Sequence, residues 1–140
     1  MKMKSQARGY LNNNPGNIEK NNDKFQGEVL PSRDKRFKQF QSMVYGYRAM
    51  FVTLYTYLTK YKRDTVEKII KAWVPLVENH TQVYIDSVVK WSGVPKDKIL
   101  TEHSIEGYIN IVAAMSRMEN GIEADMADVK REFALQDRIK

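Results

Sequence analysis

The spacing of apolar residues in this chain changes once, at Ser42, and that change limits what the chain can fold into. Ahead of Ser42 no three- or four-residue step is sustained. Behind it Val44, Tyr47, Met50, Phe51, Leu54, Tyr57, Leu58 and Tyr61 recur at the steps of a helix with a broad apolar stripe. Ser42 reads as its N-cap, because a serine hydroxyl can bond a free backbone N–H of the first turn. The same period returns three times. Asp64 is placed to cap a helix over 65–73, with Val66, Ile69, Ile70 and Trp73 on one face and Pro75 ending it. Asn79 or Thr81 opens another, carrying Val83, Tyr84, Val88 and Trp91 and closed by Gly93. Ser104 starts a further helix with Ile105, Tyr108, Ile109, Val112, Met115 and Met118, and Gly121 lies just past its end. A last amphipathic segment spans 124–135. The expected fold class is mainly α, with about five helices in a single domain over 1–140, frayed over 1–7 and 136–140.

The stretch before Ser42 has a different chemistry. Arg8-Gly9-Tyr10-Leu11-Asn12-Asn13-Asn14-Pro15-Gly16-Asn17-Ile18 holds four Asn, two Gly and one Pro. Gly and Asn accept left-handed backbone angles and Pro fixes φ, so these are turn residues. An ordinary turn needs one or two. Further on, Phe25-Gln26-Gly27-Glu28-Val29-Leu30 and Arg36-Phe37-Lys38-Gln39-Phe40 read as short strands around a turn at Pro31, which makes a small N-terminal β-hairpin and an α+β variant of the fold.

The chain has no cysteine, which excludes disulfides and thiolate metal sites, and His80 and His103 lack the helical spacing of a ligand pair. No metal and no cofactor are expected. No apolar run is long enough to span a membrane, and the basic first residues are not followed by the apolar core of a secretory signal. The chain is therefore expected to be made in the cytoplasm. Its net charge of +6 calls for a polyanionic partner or simply marks a solvated basic surface. Nucleic acid is disfavoured as that partner, because Lys and Arg are dispersed and no recognition motif is present. The anionic bacterial cell wall is the other candidate.

Three phrases could carry chemistry. The amides of Asn13, Asn14 and Asn17 suit hydroxyl- and amide-rich ligands such as sugars, or else tie the N-terminus down as a structural turn. Trp73 ends one helix, and Glu78 and Asn79 begin the next. They face a groove, or Glu78 merely caps the helix start. Glu119 lies near a helix C-terminus, where the dipole disfavours a carboxylate, among Met115, Met118 and Ile122. A carboxyl held there has a raised pKa, as a general acid needs, unless it is an ordinary surface Glu. Asn120 follows it.

Together, Arg-Gly then Asn-Asn-Asn-Pro-Gly-Asn-Ile, Phe-Gln-Gly, Phe-x-x-Phe, Gly-Tyr-Arg-Ala, the Trp-x-Pro loop leading to Glu-Asn-x-Thr-x-x-Tyr, and Glu-Asn-Gly resemble a family of small phage and prophage structural proteins similar to lysozyme-like domains. A more remote resemblance is to flagellar-type glucosaminidases. They share the order Asn-Asn-x-x-x-Ile, aromatic-x-Gly and aromatic-x-x-aromatic, but carry their Glu phrase at the front. Here the match, Glu119-Asn120-Gly121, is at the back, as in a circular permutation. Phe25 stands where that pattern has Trp, and Met118 where related phage sequences have His. The resemblance implies a muralytic domain that cuts peptidoglycan glycan strands by hydrolysis or lytic transglycosylation, with Glu119 as general acid. Asn13, Asn14, Asn17, Trp73, Glu78, Asn79 and Asn120 would line the substrate. Glu78 or Glu28 would be the second carboxylate where one is needed. The alternative it implies is a non-catalytic virion or tail component that assembles with other particle proteins or binds the wall.

Overall fold

A computed structural model describes residues 7–74 and 78–137, without the side chains of 78, 79 and 132–137. The chain is mainly helical, with a small two-stranded sheet. The helices are α1 (Arg8–Leu11), α2 (Met43–Tyr61), α3 (Val66–Trp73), α4 (Glu78–Ser92), α5 (Ile105–Asn120) and α6 (Met126–Asp137). The strands are β1 (Glu28–Val29) and β2 (Gln39–Phe40), antiparallel, with Glu28 opposite Phe40 and Val29 opposite Gln39. No described helix is long and apolar enough to cross a membrane.

The helical period places the core. Tyr47, Met50 and Leu54 of α2, Ile69 and Ile70 of α3, Ile85 and Val88 of α4, and Ile111, Val112 and Met115 of α5 form one buried cluster. α4 packs along α5, and α6 lies against α2. α3 is capped by Thr65, whose hydroxyl accepts from Lys68 N at 3.2 Å, and not by Asp64. Asp64 is one residue too early to reach that N–H and instead pairs with Lys68 Nζ at 3.1 Å. Ser42 and Ser104 precede α2 and α5 without a side-chain cap bond. Ser104 Oγ accepts instead from Thr101 N at 3.0 Å.

The N-terminal part is a strap laid over this bundle. It contains one element that its turn-rich sequence conceals, the single-turn α1, which rests on α5. Two side-chain ties hold the strap to itself, and a glycine lets it lie close on the bundle. Arg8 grips Asp34 with both arms of its guanidinium, at 2.6 and 2.8 Å, and Asn12 donates to the same carboxylate at 2.9 Å. The Arg8 guanidinium holds that carboxyl well below the ordinary carboxylate range. Under β1 and β2, the buried Lys38 ammonium meets both oxygens of the buried Glu28 at 3.1 Å and also donates to Asp23 O at 2.8 Å. Finally, Gly46 of α2 lets the strap touch the helix, since a Cβ there would overlap Asn13 O and Pro15 Cδ.

Candidate functional site

The Asn-rich segment is wound so that most of its amides face the protein. Asn13 and Asn17 are left-handed, at φ 53° and 51°, and this reverses the chain twice within a few residues. Asn14 is fully buried between the two reversals. Its Nδ2 donates to Ile18 O at 3.0 Å and Lys38 O at 2.9 Å, and its Oδ1 accepts from Ile18 N at 2.9 Å. Asn13 Nδ2 donates to Phe40 O at 3.1 Å. Asn120, also buried, donates to Pro15 O at 2.9 Å and Ser116 O at 2.8 Å, stapling α5 to the strap. Asn13, Asn14 and Asn120, expected to line the substrate, spend these amide N–H groups on backbone carbonyls of the protein itself. Their amides replace backbone bonds that the irregular strap cannot make for itself.

Asn17 is the exception. Its Nδ2 points the other way and donates to Glu119 Oε1 at 2.9 Å. Glu119 sits in the last turn of α5, just before Gly121 ends the helix. Its second oxygen, Oε2, accepts from the Tyr84 hydroxyl of α4 at 2.9 Å. Burial raises the Glu119 carboxyl above its ordinary value, and the bonds from Asn17 and Tyr84 oppose that rise. Burial pushes the Tyr84 hydroxyl well above its own ordinary value, so it stays a proton donor to Glu119. Each carboxylate oxygen has a further lone pair beyond the bond it accepts.

Glu119 opens into a cleft of about 590 Å³ between the strap and the C-terminal end of α3. Asn17 and Trp73 line it with Glu119, so the structure brings these three predicted residues together. Trp73 is fixed by its indole N–H, which donates to Gly16 O at 3.1 Å. Gly16 allows that approach, because a Cβ there would sit 2.7 Å from Trp73 Cζ2. Tyr57 and the indole meet in a T-shaped contact, with centroids 6.3 Å apart and planes at 76°. Glu78 and Asn79 open α4, but their side chains lie outside the described residues, as do Pro75 and the rest of that loop. Glu28 is removed as a second carboxylate by its buried pair with Lys38. Two other acids line the cleft, Glu19 and Asp23. Glu19 is held by Arg36 at 2.6 Å. Sequence reading missed Tyr84 as the partner of Glu119, and Glu19, Arg36, Phe37 and Tyr57 as cleft residues. All of these meet through long-range packing that leaves no local signal. Among the described residues no three His, Asp or Glu side chains gather as a metal site.

The fold and the site define a small helical domain whose irregular strap is locked onto the bundle beside a carboxylate-bearing cleft. No family model matches the sequence. The chain is 39% identical over 118 residues to Protein P5 of Pseudoalteromonas phage PM2, a match covering 82% of this chain and 72% of that protein. The chain belongs to the family of that phage protein.

Proposed function

We propose that this protein is a structural component of a phage particle that meets the host cell wall through the Glu119 cleft. Kinship with a phage protein supports the first half of the reading. The second half is carried by one observation: Trp73, Asn17 and Glu119, from three separate segments, converge on one cleft of about 590 Å³. That volume is in the usual range for ligand clefts, about 300–1,000 Å³. An N-acetylated sugar has an apolar ring face for an indole and hydroxyl and amide groups for Asn17 and Glu119.

A second reading makes the cleft catalytic, and the raised carboxyl pKa of Glu119 favours it. Glu119 would pass its proton to the glycosidic oxygen as the bond to the anomeric carbon breaks. Water would then add its hydroxide part to that carbon and return a proton to the carboxylate. Hydrolysis needs a second carboxylate. Asp23 and Glu19 are those in the cleft. In transglycosylation the 6-hydroxyl of the sugar attacks instead, and none is needed. The two bonds to Glu119 also suit a purely structural tie, so the readings part on activity.

The test is sedimentation of the protein with purified peptidoglycan, followed by mass spectrometry of the supernatant. Retention that is lost in Trp73→Ala supports wall contact. Soluble muropeptides from wild type and none from Glu119→Gln establish cleavage. No retention on any of several wall types overturns wall contact and leaves the particle role alone.

A further inference from the structure

We propose that the groove leading away from the Glu119 cleft, past the C-terminal end of α2, is a subsite for the carboxylate-bearing peptides attached to cell-wall glycan. This deepens the wall-contact reading and rests on it. The groove is a second cavity of about 780 Å³, and it shares Phe25, Thr53 and Tyr57 with the first, so the two are continuous. Charge changes along it. The cleft has Lys20 and Arg36 against Glu19, Asp23 and Glu119. The groove has Lys24, Lys60 and Arg63, with Asp23 as the carboxylate in its lining. Among the described residues no carboxylate pairs with Lys24, Lys60 or Arg63.

Arg63 is held ready for an anion. Lys62 is left-handed at φ 53° and turns the chain back at the end of α2, where Arg63 N donates to Tyr57 O at 2.9 Å. The guanidinium then lies 4.8 Å from the Tyr57 ring centroid and 4.6 Å from that of Tyr61. These two ring contacts hold the guanidinium in place, and a guanidinium binds a carboxylate with two parallel bonds. Lys60, 5.6 Å from the Tyr61 centroid, adds a second charge beside it.

Arg63 already takes one face of each tyrosine, which reduces the aromatic surface open to the bases of a single-stranded nucleic acid. A glycan strand places sugars in the cleft, and the peptides it carries supply carboxylates to the groove.

The experiment compares retention of wild type and Lys60→Gln/Arg63→Gln on intact peptidoglycan and on the same material stripped of peptides by an amidase, at low salt, with oligo-dT as competitor. Wild type should be retained about tenfold better on intact wall, as expected for the loss of two charge-assisted contacts, and salt should erase the difference. The double variant should hold both materials equally. Equal retention of wild type on both, or a preference that survives in the variant, overturns the subsite while leaving the cleft. Displacement by oligo-dT that is lost in the variant overturns it in favour of nucleic acid. Retention on neither material overturns the wall-contact reading together with the subsite.

Discussion

Replacing Asn14 by Ala removes the pin at the centre of the strap. The side chain is fully buried and makes three hydrogen bonds, to Ile18 O, Lys38 O and Ile18 N, at 2.9–3.0 Å. Each bond is worth about 1 kcal/mol net, and each partner left buried and unpaired adds to the loss. The sum is about 3–4 kcal/mol. A domain of this size has about 5–15 kcal/mol in total, so the variant should still fold. Urea unfolding followed by far-ultraviolet circular dichroism measures the loss. With a slope of about 2 kcal/mol/M, the midpoint should fall by about 1.5–2 M. Asn21→Ala, whose one bond is on the surface, should stay within about 0.5 kcal/mol of wild type. A shift for Asn14→Ala no larger than that of Asn21→Ala would refute the reasoning. It would mean that water or a relaxed loop replaces all three bonds and that the Asn-rich segment is not a structural lock.

Three more outcomes follow from the same geometry. Gly46→Ala drives a methyl into Asn13 O and Pro15 Cδ, so it should cost more than about 2 kcal/mol in the same urea experiment, against the small gain usual for Gly→Ala within a helix. Lys38→Met strands the buried Glu28 carboxylate and should cost about 3–5 kcal/mol, whereas Lys38→Met/Glu28→Leu should recover most of it; an additive double variant would refute the pairing. Glu119 has a folded pKa raised above its unfolded one, so its contribution is fully present below the unfolded pKa and is lost as pH rises through the folded pKa. The stability of wild type relative to Glu119→Gln should therefore fall with rising pH, and a flat or rising difference would show that the carboxyl is not held in its protonated form by burial.

The helical part of this fold was legible because each helix buries one stripe, and burial imposes the period that the apolar residues display. The limits of α2, α3 and α5 lie within a residue or two of the positions read from Ser42, Trp73 and Gly121. The hairpin was legible from alternation alone and closes to two residues in each strand, with Gly27 O accepting from Gln41 N in the same register just beyond them. The strap was legible only as irregular. Nothing local distinguishes an Asn that faces solvent from Asn14, whose acceptor on Lys38 lies 24 positions away. Glu119 was legible from its place at a helix end. Its partner Tyr84 was not, since at its place in α4 it reads as one more apolar-stripe residue. The basic groove was hidden for the opposite reason. Lys24, Arg48, Lys60 and Arg63 are scattered in sequence, and only the turn at Lys62 and the packing of the strap on α2 gather them.

The proposed wall contact would place cell-wall glycan against Trp73 in the cleft. The most direct measurement is the fluorescence of Trp73 in a Trp91→Phe protein, which leaves it the only tryptophan, during titration with soluble muropeptides. A saturable change in its emission, shared by Glu119→Gln and absent with an uncharged polymer of unrelated sugars, is the predicted result. Emission that stays constant up to millimolar muropeptide would contradict the account.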